Sequence, residues 1–301
     1  MNPLQVLARV SRMQTRRRRS RLVAVVLCGL FAGVLADAAD ESAPRPVAEA
    51  DWQRLEEGLD YAEIELAQKS AEGDSIARVL RADPARFGLR LLNSSAAEDG
   101  VSRTARDWAE KAGAVAVTNA AMFQADGSTS VSLMATRHHV NNGHVSRDRT
   151  VLAFDRRNVA VPPIQIIDRT CQDFERVRAN YDSFVQSIRM ISCTRQNVWT
   201  QQEAAWSTAL VATDNEGRVM LIHVRSPYTT HDLIENLLLL PIGIAQAMYL
   251  EGGRPSQLYL RAGDREVEVV GSTSSIGLTG NRLALPFPNA LALYRLDGSS
   301  R

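Results

Sequence analysis

The chain has 301 residues, 45% of them hydrophobic and 23% charged, with a formal net charge of +1. This is the composition of an ordinary globular protein. Without residues 1–38, which hold seven arginines and one aspartate, the net charge is −5. A mildly acidic product lacks the basic stripe that phosphate backbones demand, so nucleic acid is excluded as a partner.

Residues 1–21 carry those arginines and no acid, Leu22–Ala36 is an uncharged apolar stretch, and Ala36-Asp37-Ala38 places small residues at cleavage-site spacing. That order predicts a secretory signal over residues 1–38 and a secreted or periplasmic protein. The apolar stretch is short for a membrane span, so membrane contact is limited to this segment if it stays uncleaved. Residues 39–50, with Pro44 and Pro46, read as a linker, and residues 51–301 as one domain. Cys171 and Cys193 remain after the signal. In an oxidising compartment they form a disulfide candidate, the alternative being two buried thiols that never meet.

Trp52 to Tyr61 reads as a short helix ending near Gly58. Strands follow at 62–67, 76–80 and 87–92, with the Asp83-Pro84 punctuation between the last two. Residues 104–112 have helical spacing and stop at Gly113. Residues 114–118 form an apolar strand without polar alternation, buried on both faces, and it ends in Asn119-Ala120-Ala121-Met122-Phe123. Further strands are expected at 131–136, 151–154 and 164–167. The segment 137–144 between them holds His138, His139 and His144. Adjacent histidines point apart in an extended chain and no carboxylate sits at ligand spacing. A polar, substrate-facing hairpin is therefore expected here, with no metal and no cofactor. Phe184 to Met190 reads as one strand carrying Gln186 and Arg189. A hairpin at 210–213 and 219–224 precedes a helix that opens on Thr229-Thr230-His231-Asp232 and ends at Pro241. The apolar run Ala247–Leu250 then stops on Glu251 and two glycines, a turn that brings backbone close to something. Strands at 257–260, 266–270 and 290–296 close the chain. The class is α/β (mixed α+β): a single domain with a large mixed β-sheet and helices packed against it.

Taken in order, Trp52, Gly58-Leu59-Asp60-Tyr61, Leu80-Arg81-Ala82-Asp83-Pro84, Trp108-Ala109, Asn119 to Phe123, Gln186-Ser187-Ile188-Arg189-Met190 and Tyr249-Leu250-Glu251-Gly252-Gly253 resemble the phosphodiester glycosidase family. The resemblance implies an α/β fold, export and hydrolysis of a sugar-phosphate diester. The family's usual strand end is an aspartate followed by three glycines and serines; here it is Glu251-Gly252-Gly253-Arg254-Pro255-Ser256.

Cleaving a sugar–phosphate bond at the anomeric carbon passes through an oxocarbenium-like state and needs a carboxylate near that carbon. The departing phosphate needs cations, which arginine supplies in bidentate form. Glu251 is the expected carboxylate, Asp83 the second acid, and Asn119 a contact to the sugar. Arg81 and Arg189 are expected on the phosphate. Gln186, Phe123, Gly252, Gly253, His139 and Asn142 are expected to line the substrate. The predicted partner is a carbohydrate or sugar phosphate, such as an envelope exopolysaccharide. The altered turn keeps a second reading open: a non-catalytic glycan- or phosphoglycan-binding envelope protein, which would bind without forming product. A metallohydrolase built on the histidines is the third, and chelators would inactivate it.

Overall fold

A computed structural model describes residues 50–272 and 283–296. The expected signal, residues 1–38, lies outside them, as does all of the expected linker except Ala50.

The chain opens with a hairpin, β1 (Gln53–Glu56) and β2 (Leu59–Glu65). The helix expected over Trp52–Tyr61 does not form. Gly58 takes φ 83°, a turn conformation that closes the hairpin, and Leu59 and Tyr61 alternate into the core as strand residues do. β3 (Ile76–Ala82) and β4 (Phe87–Asn93) follow, joined by the Asp83-Pro84 turn. Helix α1 (Ala105–Ala112) has a reciprocal capping box between Thr104 and Asp107 and stops at Gly113 in the left-handed region. Then come β5 (Ala116–Asn119), β6 (Met134–Ala135), β7 (Val140–Asn142), β8 (Thr150–Arg156) and β9 (Gln165–Asp168). After α2 (Phe174–Arg178), the stretch expected as one strand divides into β10 (Tyr181–Ser187) and β11 (Arg189–Ile191). They belong to different sheets, so Gln186 and Arg189 part company at Ile188. β12 (Trp206–Asp214), β13 (Val219–Tyr228), α3 (Thr230–Leu239), β14 (Ile244–Gly252), β15 (Gln257–Ala262), β16 (Arg265–Val270) and β17 (Asn289–Arg295) complete the described chain.

The strands form three sheets, in the orders β1-β2-β3-β13-β12-β14-β11, β7-β6-β10-β8-β9 and β16-β15-β5-β17-β4. The expected single large mixed sheet is thus corrected to three. Every pairing recorded between these strands is antiparallel. The reason is connectivity: most links are hairpins or short loops, and helical crossovers, which parallel pairs require, are too few.

One face of the seven-stranded sheet packs against both smaller sheets. Leu80, Val211, Leu221 and Met248 meet Leu152 and Val185 of the second sheet and Leu258 and Leu291 of the third. α3 covers the other face through Leu233, Ile234 and Leu237. α1 covers the outside of the third sheet through Trp108, and the α2 residue Phe174 that of the second. Each such side chain stabilises the fold by roughly 2 kcal/mol.

Candidate active site at the end of β14

β14 does not run evenly along its neighbour. Ala209 pairs with Glu251 but Leu210 pairs with Tyr249, so Leu250 is an extra residue, a bulge that re-aims the strand end. Val211 pairs with Met248 and Ala209 with Glu251. Residues 209 and 211 share a face, so Glu251 lies on the inner face of the sheet, beyond the core residue Met248. The same row continues across the sheet, since Ala209 also pairs with His223, and His223 with Arg78.

Glu251 is 9% exposed. Its Oε1 accepts a 2.9 Å hydrogen bond from the Gly252 N–H. Burial pushes its carboxyl up from the ordinary 4.5 to about 7, and the Gly252 bond offsets only part of that. Burial and the Glu251 charge together also hold the Tyr249 hydroxyl in its protonated form. Gly252 has no room for a side chain. A Cβ there would collide with the Tyr249 hydroxyl and lie 2.6 Å from Trp206 Cδ1. Gly253 has φ 67° and lets the chain turn back.

That turn is held from several directions. The Asn119 carbonyl oxygen accepts the Gln257 N–H at 2.8 Å, and its amide donates to Pro255 O at 3.0 Å. The fully buried Ser256 donates its hydroxyl to Gly253 O at 2.8 Å. Gly253 N–H reaches Ser207 O, and Gly271 N–H reaches Ser256 O. His223 Nε2 lies 3.3 Å from both Ser256 O and Ser256 Oγ. Asn119, which ends β5, is therefore set directly against the turn that follows Glu251. Both ends of its amide are engaged there.

The other expected residues are placed as follows. Arg189 pairs in register with Met248, three residues before Glu251. Its Nη1 is bonded to both oxygens of Asp168, at 2.9 and 3.0 Å, and to Thr170 Oγ1 at 2.8 Å. Burial raises the Asp168 carboxyl, but the Thr170 and Cys193 N–H groups and the guanidinium outweigh it, and the net shift is downward. Arg81 is bonded to Asp60 at 2.8 Å and lies over the Trp52 ring. Asp83 shapes the β3–β4 turn, accepting the Ala85 N–H at 2.8 Å. Gln186 is fully buried and fastens residues 146–148 to β10, donating to Ser146 O and Asp148 O. Phe123 bridges Ser130 and packs against the α1 cluster. His139 Nε2 is 2.9 Å from Ser95 Oγ, and the Asn142 amide donates to Ser130 O at 2.8 Å. Glu251, Gly252, Gly253 and Asn119 thus share one neighbourhood, while Arg81 and Asp83 belong to another part of the sheet.

Cys171 and Cys193 are joined in a disulfide. Asp168 lies beside them and is, with these two, the group among the described residues nearest to a metal-ligand cluster. A disulfide offers no thiolate, so the trio does not fit a metal. A cleft of about 750 Å³ opens on Arg78, Asp74, Arg225 and Glu268. Among the described residues no helix is long and apolar enough to cross a membrane.

Neither His223 nor Ser256 is among the site residues expected from sequence. His223 did carry a signal, a lone polar residue in the apolar strand Val219–Val224. Ser256 lay within a motif already singled out.

A model of the phosphodiester glycosidase family matches residues 112–294. No curated protein matches the chain significantly. Among solved structures, the chain is similar to a hypothetical protein from Synechocystis, with a TM-score of 0.55 and 13% identity over 83% of this chain. The match spans 64% of that protein's length, less than two thirds. It is also similar to the zebrafish N-acetylglucosamine-1-phosphodiester alpha-N-acetylglucosaminidase catalytic domain, auto-inhibited by its pro-peptide. There the TM-score is 0.54, with 9% identity over 82% of this chain and 87% of that one. At such identities the likeness speaks for the fold.

Proposed function

The chain belongs to the phosphodiester glycosidase family, and from that premise we propose that it is an exported hydrolase of sugar-phosphate diesters with Glu251 as its reacting carboxylate. One observation carries the assignment. Glu251 is a buried carboxylate at a strand end, with a pKa near 7, and no basic side chain among the described residues contributes to its charge balance. Structural carboxylates are usually paired; a carboxylate kept unpaired in a low-dielectric setting is poised for proton transfer at neutral pH.

The reaction needs one proton acceptor. The bond from the anomeric carbon to the phosphate oxygen breaks, and its electron pair leaves with the phosphate, which is a weak base and needs little help from an acid. Water adds to the carbon and Glu251 takes its proton. Asn119 contributes by fixing the turn, since its amide is already bonded there. For the phosphate, Arg81 and Arg189 are held by Asp60 and Asp168. Arg254 sits in the turn itself, three residues beyond Glu251, partly exposed. We assign the phosphate contact to Arg254, which stands where the family's ending has a glycine.

The test is hydrolysis of a panel of sugar 1-phosphodiesters by residues 39–301. Turnover is expected in the unaltered protein and a loss on the order of 10³-fold in Glu251→Gln, corresponding to about 4 kcal/mol. kcat/KM should rise with pH through about 7 as Glu251 ionises. Arg254→Ala should raise KM more than it lowers kcat. Tight binding of a phosphoglycan with no product would favour the glycan-binding reading instead. Full activity in Glu251→Gln would remove Glu251 from the mechanism.

A further inference from the structure

We infer that His223 is a positioning residue that sets the aim of Glu251 through the Gly253–Ser256 turn. The inference rests on the reading of Glu251 as the reacting group and assigns a role two strands away from it.

The hydrogen-bond arithmetic fixes the state of the imidazole. Ser256 has one hydroxyl proton, and it goes to Gly253 O. Ser256 O is an acceptor only. Nε2 faces these two oxygens at 3.3 Å, so Nε2 carries the hydrogen and donates. Nδ1 then presents a bare lone pair, and it is buried with no hydrogen-bond partner. The ring is fully buried. Around it stand Arg78 and Arg225, which disfavour its protonation, and Asp74, which favours it. Desolvation is the largest influence and holds the imidazole neutral, with a pKa near 3.

The chain of contacts from this ring to the carboxylate is short. His223 holds Ser256, and Ser256 holds Gly253. Gly252 N–H then holds Glu251 Oε1. Gly271 closes the other side, its Cα set so close to Gly253 O that a Cβ would collide with it. Asn119 fastens the far end of the same turn. A turn carrying a catalytic carboxylate must be rigid to a fraction of an ångström, and buried polar braces supply that rigidity. A leucine in place of His223 would fill the same volume but leave Ser256 Oγ without a donor and Ser256 O with the Gly271 N–H alone. The turn would loosen and admit water to Glu251.

The test reads the carboxylate directly and requires no turnover. Glu251 is titrated by carbon NMR in glutamate-labelled protein, the Glu251→Gln spectrum giving the assignment. In His223→Leu its midpoint should fall by about one pH unit toward the ordinary value. In His223→Gln, whose amide can still donate to Ser256, it should return most of the way. Ser256→Ala, which removes the hydroxyl link while keeping the imidazole, should also lower it. This second site keeps the test decisive if His223→Leu does not fold. An unchanged midpoint in Ser256→Ala and in any folded His223→Leu would overturn the inference. A lowered midpoint in a protein that cleaves no phosphodiester would uphold the brace and reject the proposed reaction, so the two can fail separately.

Discussion

Glu251 costs the folded state something, and the cost has a definite pH dependence. Its folded pKa of about 7 lies above the ordinary 4.5, so between those values the folded chain holds a proton that the unfolded chain has released. The contribution of Glu251 to stability therefore falls as pH rises through that window and levels off above it. The difference corresponds to roughly 3 kcal/mol. Glu251→Gln keeps an oxygen for the Gly252 N–H and removes the charge. In urea titrations it should be more stable than the parent at pH 8, by up to about 3 kcal/mol, and nearly equal to it at pH 4.5. An equal offset at both pH values would contradict the raised pKa. The neighbouring Gly252 is constrained by shape. Gly252→Ala must displace both Tyr249 and Trp206, and a cost of about 1–3 kcal/mol with lost activity is expected from thermal unfolding and assay.

At the scale of an element, β11 is a three-residue strand at the edge of the seven-stranded sheet, too short to hold itself. Arg189 clamps it to β9 through Asp168, which is fully buried, and the Cys171–Cys193 bridge ties the two loops that follow. Removing one partner of such a pair leaves an uncompensated buried charge. Arg189→Ala should therefore destabilise the protein by about 3 kcal/mol in denaturant unfolding. Arg189→Lys separates this role from a phosphate contact: lower stability with unchanged KM identifies the clamp, whereas raised KM with unchanged stability identifies a ligand. Elements of this kind explain where the sequence was legible. Long alternating or apolar segments such as β8 and the β12–β13 hairpin, and the capped helices α1 and α3, follow from local pattern. The break at Ile188 does not, because Val185 and Met190 are equally apolar and only tertiary packing assigns them to different sheets. The helix expected at Trp52–Tyr61 failed for a local reason: its apolar positions suit either period, and Gly58, at φ 83°, decided for a turn. At the site, Glu251-Gly252-Gly253 and Asn119 were legible as strand ends. That Asn119 is spent on the turn, and Arg81 on Asp60, depends on distant partners that no local pattern contains.

Across the whole molecule, two buried groups with opposite shifts set how stability responds to acid. His223 is neutral in the fold down to about pH 3, whereas an unfolded histidine takes up its proton near 6.5. Glu251 is protonated in the fold below about 7, whereas an unfolded glutamate releases its proton above 4.5. Between roughly pH 4.5 and 6.5 each state therefore holds one proton on this pair, the unfolded chain on histidine and the folded chain on glutamate. The two slopes cancel, and the parent protein should be nearly flat in stability across that window. Asp74, Asp168 and Asp182, all held below the ordinary range, become destabilising only under more acid conditions. Asp155, raised by burial, acts in the same sense as Glu251 at the acid edge. Single substitutions break the balance in opposite directions. Glu251→Gln leaves the histidine alone, so stability should fall by about 1.4 kcal/mol for each pH unit of acidification within the window. His223→Gln leaves the glutamate alone, so stability should rise by a similar amount over the same interval. Urea unfolding of the three proteins at pH 4.5, 5.5 and 6.5 checks this. Parallel curves for all three would mean that the two groups do not titrate as their burial requires.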